Sequence, residues 1–182
     1  IIYVIVGLAI KISSPGPVFF KQKRSGEDGR EFWCYKFRSM RVNAQCDTLQ
    51  ATEHDPRKTR IGDLIRKTNV DELPQFINVL KGDMSLVGPR PERPEIAEQY
   101  RKQVPEFEFR LKVKAGLTGY AQVYGKYNTT PEDKLKLDLF YIEHYTVWMD
   151  MKLLLLTFKI LFQKENTEGI ENGQMTAVKG KS

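Results

Sequence analysis

The sequence predicts an α+β fold, mainly helical, with a single short β-hairpin near its start, and three observations carry that reading. A short apolar run, Val18-Phe19-Phe20, and a loop with glycines at 26 and 29 precede Glu31 to Met40, where apolar and polar residues partly alternate. Leu73, Phe76, Ile77 and Leu80 recur at helical spacing. Asp133 to His144 and Val147 to Phe162 read as helix, the second with only Asp150, Lys152, Thr157 and Lys159 to interrupt its apolar residues. At 182 residues, 41% hydrophobic and 29% charged, the chain suits one globular domain or two small ones, and it is neither disordered nor fibrous.

Each element has a local cause. Ile1 to Ile10 is wholly apolar, half of the roughly 20 residues a helix needs to cross a bilayer. Three readings fit it: a buried helix or strand, a re-entrant or interfacial segment, or the end of a longer membrane element. Ser13-Ser14-Pro15-Gly16-Pro17 is a turn, because its prolines lack backbone donors and Gly16 accepts unusual dihedrals. After the hairpin, with its basic Lys21, Lys23 and Arg24, the polar stretch Gln45 to Arg60, which includes Asp55-Pro56, contains a surface loop. Arg60 to Lys67 suits a short helix. A second, amphipathic helix should start near Asp71, since Pro74 is tolerable only in a first turn, and end at Gly82.

Pro91 to Phe109 is a charged, helical stretch, and Lys114 to Gly119 is a glycine-punctuated loop. Val147 to Phe162 is either a core helix or a helix lying in a membrane interface, with Trp148 and the lysines at headgroup level. Beyond Gln163 the tail is polar and frayed.

Composition limits the chemistry. Two cysteines, Cys34 and Cys46, are too few for a disulfide framework, and His54 and His144 stand far from both. A net charge of +6 suits phosphate-bearing ligands, nucleic acid or an anionic membrane, without choosing among them. The P-loop, G-x-S-x-G, H-E-x-x-H and D-x-D patterns are absent from the sequence, and so is any nucleic-acid-binding module.

Two segments carry candidate chemistry. In Arg66-Lys67-Thr68-Asn69-Val70-Asp71-Glu72, adjacent carboxylates fall at the expected start of a helix, with cations just upstream. Successive helical residues point about 100° apart, so Asp71 and Glu72 would do different jobs, one attacking phosphorus and one holding a divalent cation. Ordinary first-turn capping is the plain alternative. In Gly88-Pro89-Arg90-Pro91, prolines on both sides stiffen the backbone that presents Arg90, whose planar fork suits a phosphate. Its alternative is a structural turn with a solvated arginine.

Together these segments resemble the monotopic polyprenyl-phosphate phosphoglycosyl transferases, the bacterial sugar transferase family. The resemblance runs in order through Ser14 to Phe19, Tyr35 to Met40, Asp71 to Gln75, Asn78 to Ser85, Val87 to Pro91 and Gly116 to Val123. It implies transfer of a sugar-1-phosphate from a UDP-sugar to undecaprenyl phosphate or another polyprenyl phosphate, releasing UMP. By resemblance, Asp71 is the nucleophile that forms a covalent phosphosugar, and Glu72, with Asp71, holds Mg²⁺. Arg66, Arg90, Lys36 and Arg38 are then the substrate-binding residues.

The same resemblance implies a compact monotopic domain in one leaflet of the bacterial inner membrane, with its site on the cytoplasmic face and interfacial amphipathic helices. Residues 1–12 would be the remnant of a re-entrant membrane helix, 13–163 the catalytic domain and 164–182 a polar tail. No nucleic-acid partner is expected, and self-association is left open. The competing class is a non-catalytic basic module that binds membrane surfaces.

Overall fold

The computed structural model describes residues 1–42, 55–125 and 130–161. Helix α1 spans Ile2–Ser13, and the expected hairpin follows as β1, Phe19–Ser25, antiparallel to β2, Glu31–Phe37. Then come α2 (Arg60–Lys67) and α3 (Gln75–Lys81), with a 3₁₀ turn over Val70–Glu72 between them. Strand β3 (Ser85–Val87), α4 (Pro94–Gln103) and a second 3₁₀ segment, Pro105–Lys112, lead to β4, Gly116–Thr118. The chain closes with α5 (Tyr120–Tyr124), α6 (Pro131–His144) and α7 (Val147–Leu161). Most of the polar stretch after Gln45 and the tail after Gln163 lie outside the described residues.

Three small apolar clusters hold these elements. Ile10, Phe37 and Ile65 join α1, the hairpin and α2; Val87, Tyr141 and Leu153 join β3, α6 and α7; Tyr100, Phe107 and Leu135 join α4, the 3₁₀ segment and α6. The interior is therefore divided, and charged residues, among them Arg38, Asp71, Arg110 and Asp138, are buried as well.

Several expectations need correction. The helix after Asp71 starts only at Gln75. Pro74 has no N–H to offer the preceding turn, so the chain closes over three residues instead: Leu73 donates to the Val70 carbonyl at 3.2 Å and Phe76 to that of Leu73 at 3.0 Å. Asp71 and Glu72 thus occupy a 3₁₀ turn entered through left-handed Asn69 (φ 53), and not the first turn of an α-helix. The helix does end at Gly82, whose φ of 83 explains the glycine.

Pro105 also breaks the helix expected over Pro91 to Phe109. The glycine-punctuated loop contains β4, which pairs in parallel with β3, Ser85 with Gly116 and Val87 with Thr118. The approach is so close that a Cβ on Gly116 would lie 2.1 Å from the Gly88 nitrogen.

The apolar helices are not core helices. α1 buries Gly7 and Ile10 while Val4, Ile5, Leu8 and Ile12 are exposed, and α7 buries Leu153 while Trp148 is 81% exposed. α3 is turned polar side in: Gln75 and Asn78 are buried, whereas Phe76, Ile77 and Leu80 face outward, Leu80 at 89% exposure. Among the described residues, no helix is long and apolar enough to cross a membrane.

Candidate active site

The site forms where the 3₁₀ turn, β2 and the segment after β3 meet. Side chains alternate across a strand, so Cys34 and Lys36 share one face of β2. Lys36 reaches the Glu72 carboxylate with its Nζ 2.7 Å from Oε1. Arg90 approaches Glu72 with its fork, Nη2 donating to Oε1 at 2.5 Å and Nη1 to Oε2 at 3.1 Å. Burial pushes the Glu72 carboxyl up, but the Arg90 charge and the Lys36 ammonium outweigh it and hold the group well below the usual carboxylate range.

Asp71, one residue earlier, is treated differently. It is 8% exposed, and its carboxylate accepts no hydrogen bond from the described residues. Burial raises its pKa to about 6, with Lys36 pulling it down, Glu72 pushing it up, and Arg66 and Arg90 adding smaller downward pulls. At neutral pH the group is mostly ionised, weakly solvated and without a protein donor, which are the properties of a nucleophile. Two neighbouring acids are thus driven apart, one left without a partner and one fixed by two cations. Cys34 faces the same site, but burial pushes its thiol up, so it stays protonated.

Arg90 is held by its own backbone. The Pro89 carbonyl accepts from Gly116 N at 2.9 Å, that of Arg90 from Arg110 Nη2 at 2.9 Å, that of Pro91 from Arg24 Nη1 at 3.1 Å, and that of Glu92 from Ser25 N at 2.9 Å. Arg110 is in turn fixed by Asp138 on α6, Nε donating to Oδ2 at 2.8 Å, with the two side chains only 2% and 1% exposed. Glu92 is paired with Lys134, which together with Arg110 outweighs burial and brings its pKa to about 2.

Asn78, fully buried, ties α3 to the edge of β2. It accepts from Tyr35 N at 3.1 Å and donates to the Trp33 carbonyl at 2.8 Å and to Asp83 at 3.1 Å.

Of the residues expected at the site, Asp71, Glu72, Lys36 and Arg90 come together, and Arg66 acts on Asp71 through its charge. Arg38 is engaged elsewhere: its Nη atoms donate to the carbonyls of Ser14 at 2.8 Å and Pro15 at 2.5 Å, closing the turn after α1. Arg24, Asn78, Glu92, Arg110, Lys134 and Asp138 received no role from sequence. One signal was available, since Asp138 falls on the stripe of Leu135 and Tyr141, where a charge must find a partner.

Among the described residues, no cluster of three or more His, Cys, Asp or Glu side chains could hold a metal by itself. Two carboxylates do match the share a protein gives to Mg²⁺ when substrate phosphates complete the shell. Glu72 accepts three hydrogen bonds, which leaves lone-pair capacity on its two oxygens, and Asp71 accepts none.

A desolvated carboxylate beside a clamped one, ringed by lysine and arginine, concentrates positive charge that suits an anionic ligand. The chain belongs to the bacterial sugar transferase family, whose profile matches residues 1–164. It is 48% identical over 158 residues to the UDP-glucose:undecaprenyl-phosphate glucose-1-phosphate transferase of Escherichia coli K12, covering 84% of this chain and 34% of that protein. It is 44% identical over 156 residues to the UDP-N-acetylgalactosamine-undecaprenyl-phosphate N-acetylgalactosaminephosphotransferase of Aeromonas hydrophila, covering 84% of this chain and 37% of the relative. A glucose-1-phosphate transferase of Caulobacter vibrioides is 40% identical over 168 residues, covering 89% and 63%. The chain thus spans about a third of the length of the first two.

Proposed function

We propose that the chain is the catalytic domain of a phosphoglycosyl transferase, moving a sugar-1-phosphate from a UDP-sugar to undecaprenyl phosphate in the first step of exopolysaccharide or related glycan assembly. The observation that carries the reading is the contrast between Asp71, buried and without a donor, and Glu72, clamped by Lys36 and Arg90. The relatives' names give the substrate classes: each of the three is named for transfer to undecaprenyl phosphate. Relatives of similar identity are named for glucose and for N-acetylgalactosamine, so the overall likeness does not choose the sugar.

The chemistry runs in two displacements at phosphorus. An Asp71 oxygen attacks the phosphorus that carries the sugar; the P–O bond to UMP breaks, and UMP leaves with the electron pair. A phosphate oxygen of the polyprenyl acceptor then attacks the same phosphorus, and the Asp71 carboxylate departs. No bond to the anomeric carbon breaks, so the sugar's configuration is retained. Arg66, Lys36 and Arg90 supply positive charge, which lets an anionic carboxylate approach an anionic diphosphate. Asp71 and Glu72 would hold Mg²⁺ together with the donor's phosphates, and the bound ion neutralises phosphate charge.

The acceptor lies in a bilayer, so the site must stand near the headgroup plane. Outward-facing apolar side chains on α1, α3 and α7 support a seat in one leaflet of a membrane; the UDP-sugar donor, a cytoplasmic metabolite class, makes the inner membrane with the dyad towards the cytoplasm the corresponding proposal. Incubating the detergent-solubilised chain with UDP-sugars, Mg²⁺ and undecaprenyl phosphate should release UMP. Absence of release from every UDP-sugar tried, by folded protein, overturns the reading.

A further inference from the structure

The outward face of the hairpin carries a feature that the transfer chemistry does not use. Strand register pairs Phe19 with Phe37, Lys21 with Tyr35 and Lys23 with Trp33. These six side chains share the face opposite to Cys34 and Lys36.

The face changes character along its length. At its base Phe19 stacks on Phe37 at 5.4 Å between ring centres, and Tyr3 of α1 meets Phe37 edge-on at 5.3 Å. Farther along, the Lys21 and Lys23 ammonium groups stand 4.9 and 5.8 Å from the Trp33 ring centre, and Trp33 itself is 44% exposed. Lys81, at the end of α3, lies 5.1 Å from the Tyr35 ring centre and donates to its hydroxyl at 3.3 Å. Lys23 is paired with Glu31, while Lys21 and Lys81 have no carboxylate partner among the described residues.

We infer that this face docks on the anionic headgroups of phospholipids, with Lys21, Lys23 and Lys81 on lipid phosphates, Trp33 at headgroup level and Phe19 reaching the acyl layer. The inference rests on the membrane reading of α1, α3 and α7. Two continuities favour lipid over a soluble acidic partner: α1 covers the base of this same face, and Lys81 directly follows the exposed Leu80. At about 3.3 Å per residue, Phe19 to Lys23 spans roughly 13 Å, enough to pass from acyl chains through the headgroup layer. Lysine and tryptophan are the side chains that tolerate that boundary, their apolar stems or rings on one side and their polar ends on the other.

The test uses the whole chain with vesicles of phosphatidylcholine alone or mixed with phosphatidylglycerol. Lys21→Gln and Lys81→Gln should each weaken partitioning onto the anionic vesicles by about fivefold, with little effect on the zwitterionic ones. In a Trp148→Phe background, Trp33 fluorescence should shift to the blue on anionic vesicles, whereas soluble glycerol phosphate at equal phosphate should leave it unmoved.

Unaltered partitioning of both lysine variants, an unmoved Trp33 in vesicle-bound chain, or an equal shift with glycerol phosphate each overturns the inference. Failure of the wild-type chain to bind either vesicle removes the membrane reading, and this inference with it.

Discussion

The stretches Pro89 to Glu92 and Asp71 to Leu80 treat their polar and apolar groups in opposite ways. In the first, four successive carbonyls each receive a donor, and the arginine behind them is locked to a buried aspartate. In the second, a buried carboxylate has no donor while Phe76, Ile77 and Leu80 face outward. The contrast separates support from work. The fixed stretch presents Arg90 at a set distance from Glu72, and the unsatisfied one carries the group that the proposed function makes the nucleophile. Under that proposal the site stores instability where the chemistry happens, and the surrounding structure compensates for it.

Asp71→Asn breaks the comparison most sharply. Transfer should fall by about four orders of magnitude or more, as expected for loss of a covalent nucleophile. In metal-free buffer the same change should stabilise the fold. Burial lifts Asp71 to about 6, so its ionised form opposes folding at neutral pH, and removing the charge is worth on the order of 2–3 kcal/mol. Denaturant unfolding beside a UMP-release assay checks both. A dead but less stable variant would mean that Asp71 is structural.

Glu72→Gln leaves the partly exposed Lys36 and Arg90 without their counter-charge, at about 1–3 kcal/mol of stability. It should also weaken the Mg²⁺ dependence of transfer, and an unchanged titration would remove Glu72 from the metal site. Arg90→Lys keeps the charge but loses the two-point contact, and should lower the rate by about 10²-fold in steady-state kinetics with little change in melting.

Glu92 sharpens the comparison from the fixed side. Its folded pKa of about 2 lies below that of the unfolded chain. Its contribution, about 3 kcal/mol, is therefore complete above about pH 5 and lost as the pH falls from about 4.5 towards 2. Glu92→Gln should remove that part of the acid dependence in a pH series of unfolding curves. The smallest effect belongs to Leu80→Ser: within about 0.5 kcal/mol on unfolding, because the side chain is already exposed, but with measurably weaker binding to vesicles.

Legibility in the sequence followed the range of the cause. The hairpin, α2, the end of α3 at Gly82 and the helices α6 and α7 arise from alternation, spacing and a single glycine, all visible within a few residues. The β3–β4 pairing is not visible, because three-residue strands show no period and their partner lies far along the chain. Local spacing gave α3 an apolar stripe but not the direction it faces, which Asn78 sets by bonding to β2. At the site, Asp71, Glu72, Lys36 and Arg90 could be named from motifs. Arg38 belongs to an equally suggestive motif, yet its partners are the Ser14 and Pro15 carbonyls, a contact no local pattern encodes. Of the Arg110–Asp138 brace only the charge on the buried stripe of α6 was legible; its partner, 28 residues away, was not.

In the proposed mechanism Asp71 takes the sugar-phosphate from the donor before the lipid takes part. Mixing the chain with a UDP-sugar and Mg²⁺ without any polyprenyl phosphate, then analysing peptides by mass spectrometry, tests it directly. Stoichiometric UMP should appear with a sugar-phosphate adduct on the peptide carrying Asp71, and neither should form with Asp71→Asn. An adduct on another residue, or no UMP until the lipid phosphate is added, would contradict that mechanism.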